Sequence, residues 1–308
     1  MTQRSPRSTQ PPAPGRWPHA VLPALALAFL GAGCSKEKPA PAAPTQAAST
    51  AKAPSKTEPL EKEPAQTEPS KSPAAGVPQP TNTPPLGSKA EGAAGMLEGT
   101  VYFDGPAPER KPIAVASLPG CNHEGELLTE QYVVQDGRLA NAFVYVKKLP
   151  SNVLVPPVPS APVVLDQKGC QYVPHVVGVR VGQTLLVKNS DATNHNVKVD
   201  PRTAKNSDKL SMNKIQPPNA APFELVFEQA EVLVPFGCTL HPHMHAHVGV
   251  VEHPFFAISN AQGTFQIQGL PAGTYELEIV HEQAGKRTLS VELGASTPQS
   301  VEVHFGKR

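Results

Sequence analysis

Charge of one sign, long apolar runs and aromatic residues are all scarce in this chain. Among its 308 residues, 27 Lys and Arg stand against 26 Asp and Glu, a formal net charge of +1, and aromatic residues make up 5%. The charge balance leaves no electrostatic footprint for nucleic acid or an acidic polymer, so neither is expected as a partner. The apolar run from Ala20 to Leu30 is too short to span a bilayer, and no later segment is apolar enough to do so. No long amphipathic helix is evident either, which leaves strands to build the fold. Cysteine occurs only four times, at Cys34, Cys121, Cys170 and Cys238, so each one can be weighed on its own.

What is abundant is proline, 37 residues of it. From Ser35 to about Gly95 the chain is Pro, Ala, Thr, Ser, Lys and Glu with almost no large apolar side chain. Such a segment cannot bury enough surface to offset the entropy of ordering, so residues 34–95 are expected to form a disordered, extended tether. Ahead of it, Arg4, Arg7 and Arg16 precede the short apolar run, and Gly31-Ala32-Gly33 lead into Cys34. Residues 1–33 read as a bacterial lipoprotein signal peptide, cut before Cys34 so that acyl chains on that cysteine hold the protein on a membrane. Gly31 departs from the aliphatic residue usual there. An ordinary secretory signal, releasing a soluble protein, is the alternative. Both readings place the chain outside the cytoplasm, in the cell envelope or periplasm.

The stretch Phe236-Gly237-Cys238-Thr239-Leu240-His241-Pro242-His243-Met244 offers a thiolate, an imidazole and a thioether within seven residues. Cu(I) favours soft sulfur and Cu(II) accepts imidazole, so two His and one Cys with a weak axial Met serve both oxidation states. The loop is one His short. A strand-like run, Val179 to Val187, ends in the polar turn Asn189-Ser190-Asp191-Ala192-Thr193-Asn194, and the next residue is His195. His243, His245 and His247 would share one face of a strand by period-2 alternation. That face is a candidate accessory metal site, or else a solvated, partly protonated surface.

Val181-Gly182-Gln183-Thr184, Lys188-Asn189-Ser190-Asp191, His195-Asn196-Val197 and Cys238-x2-His241-x2-Met244 together resemble a type 1 copper cupredoxin, with a short ligand loop similar to that of amicyanin. The resemblance covers roughly residues 160–252. It implies one copper ion held by His195, Cys238, His241 and Met244, with Asn196 beside the Cys sulfur. His243 stands where amicyanin-like loops usually carry an aromatic.

About 210 residues follow the tether, enough for one large or two small all-β units. Gly99-Thr100-Val101 with Asp104-Gly105-Pro106, Asn141 to Val146, and Asn260-Ala261-Gln262-Gly263-Thr264-Phe265 through Gly269 to Tyr275 resemble a carboxypeptidase regulatory-like, transthyretin-type β-sandwich. The expected fold is therefore all-β: a Greek-key cupredoxin sandwich at 151–252, combined with a small transthyretin-like sandwich split between 96–150 and 253–308. Pro-rich Pro150 to Pro159 and Glu252-His253-Pro254 mark the junctions.

With Cys34 assigned to lipid and Cys238 to copper, Cys121 and Cys170 remain as a disulfide pair for an oxidising compartment. The alternative is that Cys121 with His123, or Cys170 with His175, belongs to another metal site. Asp191, His281 and Ser290 are scattered without a nucleophile motif, and no enzyme activity is expected. The resemblance implies a cell-envelope electron carrier that docks transiently through Leu240, Pro242 and Phe236, with His241 near the surface as the electron exit. Its redox partners would be a cytochrome or a dehydrogenase. A copper-delivery protein using the His-rich loop and a metal-free scaffold module are the competing functions.

Overall fold

Alternation sets the first strand. Gly95–Asp104 buries every second residue over most of its length, so one face joins a core and the other stays near solvent. The computed structural model describes residues 95–306 except 116, 117, 122, 124 and 295–297; the expectations for the signal peptide, Cys34 and the tether fall on residues outside that set. Among the described residues the architecture is all-β, with twenty strands and one seven-residue helix, Ala204–Leu210.

Two sheets are built from the beginning and the end of the described chain. In one, Gly95–Asp104 pairs antiparallel with Thr264–Leu270 and parallel with Gln299–Gly306. In the other, Phe143–Lys148 lies between Phe256–Ile258 and Gly273–His281, and the latter continues as a hairpin into Gly285–Leu293. Leu97, Val101, Val144, Ile267, Leu277 and Phe305 from both sheets meet in one core.

Between these segments in sequence lie two further sheets. One runs Phe223–Val226, Thr184–Asn189, Val163–Gln167, Tyr172–Val173; the other runs Met212–Gln216, His195–Val199, Glu231–Gly237, His245–Val251, Val176–Arg180. Their facing side chains, among them Leu165, Leu185, Val187, Val197, Phe236 and Val248, form a second core.

Val176–Arg180 is buried at all five positions. An edge strand of a sheet is normally half wet, but here both faces are covered, which is why its sequence is an unbroken apolar run up to Arg180. One face joins the second core; the other meets Phe143, Val251 and Phe256 in a seam between the two pairs of sheets. Gly178 and Gly249 face each other across the parallel pairing of this strand with His245–Val251. A Cβ would come within 2.1 Å of the Phe256 ring at Gly178 and within 2.3 Å of the Phe143 ring at Gly249, so the aromatic rings lie where side chains would otherwise be. At the end of the strand the Arg180 guanidinium donates to the carbonyls of Pro156 at 2.8 Å, Pro157 at 2.9 Å and Glu252 at 3.1 Å. One buried cation thus ties together both chain segments that the proline pattern marks as junctions.

The segment from Pro112 to Leu128 crosses over. Pro112–Ile113 pairs with Leu127–Leu128, and Val115, Cys121 and Leu127 pack into the second core rather than the first. A disulfide joins Cys121 to Cys170, with their Cα atoms 5.3 Å apart, and holds the crossing in place. The sequence reading places this stretch in 96–150 with the flanking sandwich and expects Cys121 to be tied to Cys170 in the following part; the disulfide is present, and Val115, Cys121 and Leu127 pack on that side of it.

Candidate metal centre

Asn189 builds the turn that delivers His195. Its side-chain oxygen accepts the Asp191 N–H at 2.9 Å, while its amide donates to the Thr193 and Gln216 carbonyls, each at 2.9 Å. This side chain replaces a backbone turn and sets the chain up to re-enter a strand at His195. The neighbouring strand, Glu231–Gly237, leads directly into Cys238. The loop that follows is closed by Met244 N–H donating to the His241 carbonyl at 2.9 Å and Cys238 N–H donating to the Met244 carbonyl at 3.3 Å. Met244 is 1% exposed and shares a core with Cys238.

These two elements bring Cys238, His195 and His241 together. The His195 and His241 Nδ1 atoms are 3.0 Å apart, and the Cys238 Sγ lies 4.0 Å from the first and 3.8 Å from the second. The circumcentre of that triangle is about 2.1 Å from each atom, within the ~2.0–2.3 Å of metal–imidazole and metal–thiolate bonds. The donor set fits copper: one soft thiolate, two imidazoles presenting the same nitrogen, and a thioether in the closing loop.

The surroundings prepare each donor. The Asn196 backbone N–H donates to the Cys238 Sγ at 3.1 Å. The Asn196 side chain does not make this contact, and its Oδ1 is buried without a partner. Tyr172 donates its hydroxyl to the Asn196 and Gly237 carbonyls at 2.9 and 3.1 Å, clamping the strand that carries the N–H to the strand that leads to the sulfur. Burial alone would raise the Cys238 thiol, but the adjacent His195 ring, which can carry both its protons while no metal is bound, and the Asn196 N–H outweigh burial and hold the thiol below its ordinary value.

His195 is oriented from behind. Its Nε2 lies 2.8 Å from the Asp191 Oδ2, and that carboxylate also accepts the N–H groups of Gly169 at 2.6 Å and Cys170 at 2.8 Å. Burial opposes the charge on Asp191; the bonds from His195 and the two backbone N–H groups outweigh it and hold the acid below the usual carboxylate range. A carboxylate on Nε2 keeps the proton there and leaves Nδ1 free toward the sulfur.

Several placements differ from the sequence reading. His241, expected near the surface, lies beside exposed Leu240 and Pro242 but is itself only 9% exposed, its Nε2 edge 3.8 Å from the Cys121 sulfur. Phe236 is interior, whereas Leu240 is half exposed and Pro242 is exposed. The three extra histidines do not converge. His243 bonds the Cys170 carbonyl at 3.0 Å, His245 is exposed, and His247 meets His175 and Glu282 instead. Two further groupings, Cys121 with Cys170 and His241, and Cys170 with Asp191 and His195, use cysteines that the disulfide already consumes. Asp191 and Tyr172 were not readable as supports of the centre. Asp191 stands in the Asn189-Ser190-Asp191 turn four residues before His195, but nothing in a turn sequence tells which ring edge its carboxylate will meet.

No protein-family model and no curated protein matches the chain. Among solved structures, a single-site mutant of amicyanin in its Cu(I) form aligns at 24% identity over 29% of this chain and 81% of that one, with a TM-score of 0.25. A reduced mutant of amicyanin aligns at 26% identity over 30% and 85%, TM-score 0.26. A copper-containing nitrite reductase from Thermus scotoductus SA-01 aligns at 19% identity over 35% of this chain and 25% of that one, TM-score 0.25.

Proposed function

We propose that this protein is a cell-envelope electron carrier with one copper ion held by His195, Cys238 and His241, and with Met244 as the weak fourth donor. The observation that carries the reading is the Sγ–Nδ1–Nδ1 triangle, sized for a metal ion and built from a donor set that both oxidation states of copper accept. Copper bound there would supply a one-electron couple. The protein's part is to hold the donors still: Asn196 N–H stabilises the thiolate, Asp191 fixes the His195 tautomer, and the closed Cys238–Met244 loop limits rearrangement.

A carrier fits better than an enzyme. His195, Cys238, His241 and Met244 are 0%, 4%, 9% and 1% exposed, which suits passing an electron through buried donors better than admitting an organic substrate. Leu240 and Pro242 form the exposed rim beside the ligands, suited to brief docking of a redox protein such as a cytochrome or a dehydrogenase. The Cys34 lipoprotein signal and the tether would hold and extend this head at a membrane surface outside the cytoplasm.

A second reading, copper delivery, is supported by the small cleft that His243 and His245 line together with Met244, which puts two further imidazoles near the thioether donor. Visible absorption of the copper-loaded full chain, before and after ascorbate, tests the carrier. An intense thiolate band that ascorbate bleaches is expected, absent in Cys238→Ser and retained with a shifted potential in Met244→Leu. A band unchanged by Cys238→Ser overturns the assignment. A His243→Gln/His245→Gln variant with normal electron exchange but slowed copper transfer selects delivery.

A further inference from the structure

We propose that His175, His247 and Glu282 form a second metal site, for a zinc-type divalent ion, at the seam between the two pairs of sheets. The three residues come from three elements: the turn before Val176–Arg180, the strand His245–Val251, and the hairpin turn between Gly273–His281 and Gly285–Leu293. One donor atom of each lies within 4.8 Å of the others.

The ring orientations are those of ligands. His175 Nδ1 lies 3.2 Å from the His245 carbonyl and donates its proton there, which turns Nε2 toward the Glu282 carboxylate, its hydrogen-bond partner. A backbone carbonyl on the far nitrogen is the usual way that a metal-binding imidazole is fixed. His247 brings an independent observation: its Nδ1 is buried with no hydrogen-bond partner and points at the second Glu282 oxygen across 3.9 Å. Buried polar atoms are almost always satisfied, so an unpartnered ring nitrogen aimed at a carboxylate marks a place for a cation.

Two imidazoles and a carboxylate without sulfur suit zinc rather than Cu(I), with a fourth position for water. The Glu130 carboxylate stands beside the site, 3.6 Å from His175 Nδ1. The side chains are largely sealed, 5% exposed at His175, 6% at Glu282 and 16% at His247. An ion held there would staple the Gly273–Leu293 hairpin to the strands of the second core. A shared proton between His175 and Glu282 and a divalent ion are the two ways to fill this contact.

The test uses the full chain, stripped with chelator, reloaded with one equivalent of copper so that the Cys238 centre is occupied, and then titrated with Zn2+ against a chromophoric competitor. Cys238→Ser should keep the wild-type zinc affinity while losing the copper band, so this inference and the copper reading fail separately. His247→Gln and Glu282→Gln should each weaken zinc by on the order of 100-fold without altering the copper band. Zn-edge absorption on the copper-loaded wild-type chain should show nitrogen and oxygen ligation with imidazole, and it decides the matter even where a variant does not fold. Sulfur in the zinc shell, loss of zinc in Cys238→Ser, or unchanged affinity in both seam variants would overturn the proposal and leave a proton between His175 and Glu282.

Discussion

Asp191 Oδ2 lies 2.8 Å from His195 Nε2, on the opposite edge of the ring from the Nδ1 that faces Cys238. The proton held on Nε2 by this carboxylate is what leaves Nδ1 with a free lone pair. Asp191→Asn would place an amide NH2 against Nε2, move the ring proton to Nδ1 and block the donor atom. Copper affinity is expected to fall by about 10- to 100-fold, read by Cu(I) competition with a chromophoric chelator. An affinity within twofold of wild type would show that Asp191 does not set the tautomer.

The disulfide closes a loop with a sequence separation of 49. In the chain-entropy argument that is worth about 4 kcal/mol, so the double variant Cys121→Ser/Cys170→Ser should lose roughly that much in urea unfolding. It should also uncover the Nε2 edge of His241 and raise the electron self-exchange rate while keeping the copper band. Alkylation of the non-reduced, copper-free chain should label Cys238 and neither of the other two.

Gly249 tests the seam. Its missing side chain makes room for the Phe143 ring, and Gly249→Ala should cost about 1–3 kcal/mol by overpacking. Thermal melting measures it. Phe143→Ala in the same background should recover part of the loss if the contact is the cause.

Glu231 gives the pH dependence. Its carboxylate accepts the Arg202 N–H at 2.7 Å, the Thr203 N–H at 3.1 Å and hydroxyl at 2.8 Å, and the Asn206 amide at 3.3 Å, holding the start of the helix to the strand. Burial pushes its pKa up, but these donors outweigh that and depress it below the ordinary 4.5. A depressed acid stabilises the fold above its unfolded value and loses that contribution as pH falls through the folded one. The urea midpoint should therefore drop below about pH 5. Glu231→Gln should flatten that slope and cost about 1–3 kcal/mol at neutral pH. A slope unchanged in the variant would assign acid sensitivity elsewhere.

The sequence by itself determined the strand-rich architecture, because period-2 alternation and turn residues are local and survive without knowledge of neighbours. It also carried the candidate donors, since Cys238, His241 and Met244 are fixed relative to one another by a loop too short to separate them. Only the tertiary structure decided what surrounds those donors. His241 looks like a surface residue in its loop, yet the crossing segment Pro112–Leu128 and the Cys121 sulfur bury it from a distance of 120 residues along the chain. His243, His245 and His247 look like a set by spacing. They part because His243 lies in the turn before the strand and bonds Cys170, while His247 Nδ1 comes within 3.9 Å of Glu282 from a hairpin that no local pattern connects to it. Long-range partners are chosen by how sheets stack, and that is a property of the packed chain rather than of any stretch of its sequence.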